Sequence, residues 1–268
     1  MTHVAYFDDE SCVLDEFRAL TSQTLDAAAV PSAQAITQNI PIYDTPSLAP
    51  KLSEASKRRA LLAEWGWVLG QGPGVLVLRA AYKDLGVIDA ASAAYEAIIA
   101  REKAQGGAQA DHFATAGAND RVWNSLQKLC MVDPMVFARY FGNPALAAVC
   151  EAWLGPGYQM TAQVNLVRPG GQAQTAHRDY HLGFQSGEVA AQFPAHVHDL
   201  SPVMTLQGAI AHCDMPVESG PTKLLLYSQL YRPGYMAYRR DDFRAYFEER
   251  FVQLPLSKGD AVFFNPAL

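Results

Sequence analysis

Cysteine is scarce in this chain of 268 residues, and the four that occur are widely scattered. Cys12, Cys130, Cys150 and Cys213 include no Cys-x-x-Cys pair. Zinc ribbons and disulfide-stapled domains need closely spaced cysteines, so the sequence argues against both classes. We therefore expect the thiols to be reduced and the protein to be cytoplasmic.

Basic clusters and long apolar runs are also missing. The formal net charge is -6 at pH 7, and 18% of the residues are charged. A negative balance without a lysine or arginine run argues against nucleic-acid binding. No apolar run is long enough to cross a membrane, and the first residues show no basic-then-apolar signal pattern. We expect neither a nucleic-acid partner nor a membrane partner.

Proline is frequent in the first part of the chain, where it breaks any long helix. Apart from a short helix predicted between about Ser11 and Leu25, we expect residues 1–50 to form an irregular arm on the surface. Residues 51–268 then make up the main domain, which is long enough to bury a substantial core.

Helical spacing of apolar residues dominates the next part of the chain. It predicts a helix over Ser53–Gly70 with Ser53 as its N-cap, and a second helix that Asp89 caps. The apolar run Val75–Leu78 between them predicts a short buried strand. Further helical segments follow as far as Leu154.

From Tyr158 onward, short apolar or alternating runs are separated by glycine and proline turns. Such runs are typical of an antiparallel sandwich or barrel. Helices first and strands second predict an α+β fold: a double-stranded β-helix (jelly roll) with N-terminal helices packed against one sheet. The predicted strands are Gln159–Arg168, Ala176–Leu182, Val203–His212, Thr222–Leu226 and Ala261–Phe264.

The strongest candidate site lies in the stretch Gln174–Phe184. It contains His177 and Asp179, which would project from the same face of a strand, with Arg178 on the other. One imidazole and one carboxylate are two-thirds of the 2-His-1-carboxylate triad that holds non-haem Fe(II). Alone, the pattern is a weak signal, since a strand-end ion pair would look the same.

Three stretches together resemble the phytanoyl-CoA dioxygenase family of Fe(II)/2-oxoglutarate oxygenases, over roughly residues 55–268. Their order and spacing carry the resemblance more than any single motif. They are Val164–Gly170 leading into His177–His181, Gly208–Pro221, and Lys258–Leu268.

The resemblance implies that the protein hydroxylates a small organic substrate with O2 while 2-oxoglutarate is decarboxylated to succinate. It assigns the iron ligands to His177 and Asp179. Asn165 and Gln174 are the candidates for binding 2-oxoglutarate.

His181 and Phe184 are the candidates for substrate binding, although His181 could equally be a surface histidine. In an extended strand, His181 lies roughly 13 Å from His177, too far for one ion to bind both.

The chain departs from the family pattern at Leu268. There the family continues with a distal histidine ligand and then a basic residue for the far carboxylate of 2-oxoglutarate. We expect this sequence to be part of a longer protein. Two alternatives stay open: a pseudo-enzyme, or a non-catalytic, cupin-like jelly-roll binding protein.

Two further histidine motifs favour structural roles. His196-Val-His198 could hold a metal, but a solvated loop between prolines is the favoured interpretation. His212-Cys-Asp214 is a second His-x-Asp, expected at a strand end with a structural role. The tyrosine- and arginine-rich stretch 228–251 is either a substrate lid or a surface insertion.

Overall fold

The computed structural model describes residues 5–105, 119–167 and 175–268. These residues fold into a mixed α/β structure in which most strand pairs are antiparallel. None of the helices in this part of the chain is both long and apolar enough to cross a membrane. The strands are β1 (Ala35–Thr37), β2 (Ile40–Asp44), β3 (Val75–Arg79), β4 (Asn119–Val122), β5 (Val164–Val167), β6 (Gln207–Ile210) and β7 (Ala261–Phe264).

The α-helices precede and separate these strands, and the longest pair lies in the first half of the chain. They are α1 (Leu14–Thr21), α2 (Thr45–Ser53), α3 (Ala55–Gly70), α4 (Leu85–Ala104), α5 (Ser125–Val132), α6 (Pro134–Phe141), α7 (Pro144–Leu154), α8 (Gly187–Ala190), α9 (Ala195–Leu200), α10 (Gly234–Ala237) and α11 (Asp241–Arg250).

Five strands form one sheet in the order β1-β2-β3-β7-β6. Only β2 and β3 run parallel, and the other pairs are antiparallel. Val262 at the middle of β7 faces Val77 on one side and Ala209 on the other. A separate antiparallel ribbon joins β4 to β5, with Arg121 opposite Asn165.

Apart from Arg79 at the end of β3, the central strands β3 and β7 are apolar because both faces of the sheet are covered. Leu76 and Leu78 point to one side, where they join Trp65 in the core formed with the helices. Val77 points to the other side and packs in a second cluster with Leu254. The predicted buried strands at 75–78 and 261–264 are confirmed.

The N-terminal arm is more regular than its prolines suggest. Its β2 strand pairs with β3 and so belongs to the main sheet. Pro46 lies in the first turn of α2, where a backbone N–H would have no hydrogen-bond acceptor within the helix, so proline is tolerated. The expectation of an irregular segment is wrong here, while the domain boundary after residue 50 stays a prediction.

Two predicted helix caps are also wrong. The helix α4 begins at Leu85, and Asp84 caps it by accepting a hydrogen bond from the Gly86 N–H. Asp89 instead pairs with Lys258, next to β7. Glu54, not Ser53, occupies the N-cap position of α3.

The predicted strand over 176–182 does not form. Residues 175–180 are irregular, and a short 3-10 helix follows at His181–Phe184. The Asp179 N–H donates a hydrogen bond to the Pro266 carbonyl instead of joining a strand ladder, so the backbone does not continue as a strand. The predicted strand at 222–226 is reduced to an isolated bridge between Leu224 and Val252.

Candidate metal centre

The turn after residue 175 brings His177 and Asp179 together just beyond the end of β7. The Asp179 N–H donates to the Pro266 carbonyl at 2.8 Å, which anchors the turn to the segment following the strand. The His177 Nε2 and the Asp179 Oδ1 lie 3.3 Å apart. Two ligands at right angles around one ion, each about 2 Å from it, are separated by about 3 Å. The pair therefore fits two adjacent positions on a metal.

The backbone sets the protonation of the imidazole. The Nδ1 of His177 lies 2.6 Å from the Thr175 carbonyl oxygen. A carbonyl can only accept, so Nδ1 carries the hydrogen, and the lone pair of the neutral ring is on Nε2. This is how metal-binding histidines are commonly oriented, with the second ring nitrogen donating to a backbone carbonyl.

The neutral imidazole and the carboxylate face each other as two acceptors, so the pair favours a cation between them. The hydrogen bond to Asp179 accordingly raises the pKa of His177, against the opposing effect of burial. Burial alone would raise the pKa of Asp179, but hydrogen bonds from His177 and Gln207 hold it below its ordinary value. A proton or a metal ion can satisfy this arrangement.

Gln207, at the start of β6, fixes the second oxygen of the carboxylate. Its Nε2 donates to the Asp179 Oδ2. Gln207 sits opposite Phe264 in the sheet, so the amide is positioned by the β6–β7 ladder. Gln207 falls within the predicted strand 203–212 but was not predicted to be a site residue.

The backbone after Asp179 is strained. Tyr180 has φ 60° and ψ 149°, a region that non-glycine residues rarely occupy, and His181 also has a positive φ of 47°. Such residues cost about 1–3 kcal/mol each and cluster at functional sites. The strain therefore makes this turn a candidate functional segment.

A cavity adjoins the His177 side chain. Its walls come from α1, the 228–237 segment, α11 and the residues after β7. They include Phe17, Phe243, Phe247, Arg178, Arg244 and Leu268. Burial lowers the pKa of Arg178 to about 10, so its guanidinium remains positive at neutral pH.

The phytanoyl-CoA dioxygenase (PhyH) family model matches residues 70–268, which is most of the chain. The chain belongs to this family. No curated protein matches it. The match confirms the resemblance stated above and implies an oxygenase at the level of the family.

The described residues do not bring together a three-ligand metal site. Across the three described ranges, no group of three His, Cys, Asp or Glu side chains converges on one point. His181 does not complete the pair. Its Nδ1 is buried without a hydrogen-bond partner in the described part of the chain, and its ring packs edge-on against Phe193.

The other histidine motifs are structural. His212 lies between Ser92 and Tyr140, with hydrogen bonds of 2.8 Å and 2.7 Å to its two ring nitrogens. This agrees with its expected structural role. The predicted loop at 196–198 is wrong, because both histidines lie on the helix α9. There His198 is buried and bonds the Ala190 carbonyl, while His196 is exposed, so they share no face.

Of the two residues predicted to bind the co-substrate, the structure describes one. Asn165 is exposed on β5, opposite Arg121. The Arg121 guanidinium lies over the Trp123 ring and is close enough for its charge to contribute to the lowered pKa of Asp179. The β4–β5 ribbon therefore lies near the candidate ligands. Gln174 lies outside the described residues.

The predicted substrate residues lie on the strained turn. Phe184 is 73% exposed, and neither it nor His181 lines the cavity beside His177. Arg178 lines it but was not identified from the sequence as a site residue. Tyr238 also lines it and belongs to the stretch 228–251, predicted to be either a substrate lid or a surface insertion. The roles of His181 and Phe184 in binding substrate stay predictions.

Proposed function

We propose that this protein is an Fe(II)/2-oxoglutarate-dependent dioxygenase that hydroxylates a small organic substrate. The proposal includes a jelly-roll arrangement of the sheet, as the family resemblance implies, and a cytoplasmic location. The observation that carries it is the 3.3 Å approach of the His177 Nε2 to the Asp179 Oδ1. A member of this family is expected to hold iron with such a pair. When bound, Fe(II) supplies the chemistry by which O2 oxidises 2-oxoglutarate to succinate and the substrate to an alcohol.

The protein's own residues would hold the ion and orient the side chains that bind it. His177 and Asp179 would hold the ion as two neighbouring ligands, and the remaining ligand positions would be available to the co-substrate and O2. The Thr175 carbonyl fixes the imidazole tautomer, and Gln207 fixes the carboxylate. Such outer hydrogen bonds limit rotation of the ligands and so preserve the geometry of the site.

Binding of the organic reactants is assigned to the surrounding turn and ribbon. We assign 2-oxoglutarate to the side of the site that carries Asn165, and Gln174 remains a candidate on the sequence alone. His181 and Phe184 remain our candidates for the substrate. The strained backbone between Asp179 and Gly183 supports a functional role for this turn.

The experiment measures succinate formed from 2-oxoglutarate with Fe(II) and O2, in the wild type and in His177→Ala and Asp179→Ala. We expect both substitutions to abolish turnover, because each removes one ligand of the ion. His196→Ala is the matched control, since this histidine is exposed on α9, and it should retain wild-type activity. Full succinate production in either ligand variant would reject the site.

A non-catalytic jelly-roll binding protein is the second candidate. It is favoured by one observation: the described residues bring together two metal ligands and not three. Metal binding that depends on His177 and Asp179, without any consumption of 2-oxoglutarate, would select this alternative.

A further inference from the structure

Arg178 is a buried cation placed between the two candidate ligands in the sequence. It is 6% exposed. Its guanidinium donates to the Ser228 carbonyl and lies over the Tyr235 ring, 5.2 Å from the centroid. It also rests directly on Gly234, where even a methyl group would overlap it. The guanidinium is therefore held in a defined position.

This charge has no acidic partner. Within the described ranges, no carboxylate lies at ion-pair distance from Arg178, whose guanidinium instead contacts the Ser228 carbonyl and the Tyr235 ring. A guanidinium carries five N–H donors, and the Ser228 carbonyl accepts from one nitrogen. A buried charge is costly unless an opposite charge satisfies it. An anion in the adjoining cavity would satisfy this charge.

The cavity that Arg178 lines is otherwise mainly apolar. Phe17, Phe243 and Phe247 form much of its wall, and Arg244 adds a second positive charge from an exposed position. No acidic side chain of the described residues contributes to the lining. A few placed polar groups in an apolar cavity are typical of small-molecule sites. His177 belongs to the same lining.

We propose that this cavity binds an apolar monocarboxylic acid, with its carboxylate on Arg178 and its hydrocarbon or aryl body against the phenylalanines. Arginine suits this role because its planar fork makes two parallel hydrogen bonds to a carboxylate. As an assignment of substrate class, the proposal rests on the proposed function. Binding itself needs no metal and can be tested separately.

The test is calorimetric titration of the metal-free protein, in the presence of EDTA, with octanoate and with its neutral isostere octanamide. We expect octanoate to bind about tenfold more tightly or better, because a charge-assisted pair replaces a neutral one. In Arg178→Met this preference should vanish while octanamide binding stays unchanged. Arg250→Met, on α11 but outside the cavity lining, should keep the preference.

A second variant tests the same prediction if Arg178→Met fails to fold. Gly234→Ala places a methyl group where the guanidinium now lies, and it should also remove the preference for octanoate. Equal affinity of the wild type for octanoate and octanamide would overturn the proposal by itself. So would an undiminished preference in a folded Arg178→Met protein.

Two further outcomes distinguish a failure of the proposed substrate class from a failure of the proposed function. If 2-oxoglutarate binds the metal-free protein more tightly than octanoate and depends on Arg178, the arginine serves the co-substrate, and the substrate class is wrong. If octanoate selectivity holds but no Fe(II)-dependent succinate forms, the proposed function fails and the carboxylate site stands.

Discussion

At the scale of single residues, the candidate centre depends on how each ligand atom is oriented. The Thr175 carbonyl places the hydrogen of His177 on Nδ1, and Gln207 donates to the far oxygen of Asp179. Both contacts turn lone pairs toward the 3.3 Å gap between the ligands. The affinity for metal should therefore depend on groups that never touch the ion.

Gln207→Leu tests this dependence. The substitution removes the amide donor to Asp179, so we expect metal affinity to fall by about 10- to 100-fold. Isothermal titration with Fe(II) under anaerobic conditions measures it. Gln192→Leu, an exposed residue after α8, is the control and should bind like the wild type. Unchanged affinity in Gln207→Leu would show that the carboxylate needs no such support.

His212 is a second residue whose protonation is set by its neighbours. The Ser92 hydroxyl donates to the Ile88 carbonyl, so it accepts from the imidazole Nδ1–H. Nε2 then accepts from the Tyr140 hydroxyl. Burial, with a smaller contribution from Lys258, lowers the pKa of His212, and the fold therefore contains the neutral ring.

This arrangement predicts a pH dependence of stability. The folded pKa lies below the unfolded value of about 6.5, so the unfolded chain binds more protons as the pH falls through that region. The stabilisation is present above about pH 6.5 and is lost below it. Urea unfolding at pH 7.5 and pH 5.5 should show a larger loss for the wild type than for His212→Gln. Equal losses would contradict the assignment.

At the scale of elements, the turn that follows Asp179 has a closely packed backbone. Residues 180 and 181 have positive φ angles. The Cα of Gly183 comes so close to the Arg178 carbonyl that a Cβ would lie 1.9 Å from its oxygen. Glycine is therefore required at position 183, where the backbone packs against the segment that carries His177 and Asp179.

Gly183→Ala should destabilise the protein by more than about 2 kcal/mol, because the clash is with backbone and cannot be relieved by a side chain. The measurement is the free energy of unfolding in urea. Gly187→Ala is the matched control: its added methyl meets nothing within 4 Å, and alanine favours the helix α8. Similar stabilities for the two variants would disprove the close approach.

The same elements show what sequence patterns can predict. The strands β3 and β7 were recognisable because both of their faces are buried, so their apolar runs are unbroken. The segment 176–182 alternates in a strand-like way, but its backbone is held by a hydrogen bond from the Asp179 N–H to the Pro266 carbonyl instead of a strand ladder. Alternation alone could not distinguish these cases.

At the scale of the whole molecule, the candidate site lies where distant segments meet. The spacing of His177 and Asp179 within a familiar order of motifs was enough to single out both as candidate ligands. Gln207 and Ser228 could not be identified in this way, because their partners are 28 and 50 residues away. Contacts over such separations exist only once the sheet and the 228–237 segment have packed.

The central claim is that His177 and Asp179 hold one metal ion between them. Its most direct test is the anomalous scattering of a crystal of the protein soaked anaerobically with Fe(II). The account predicts a single iron peak about 2 Å from both the His177 Nε2 and the Asp179 Oδ1. An iron peak that contacts neither atom, or no peak beside a pair in this same arrangement, would contradict it.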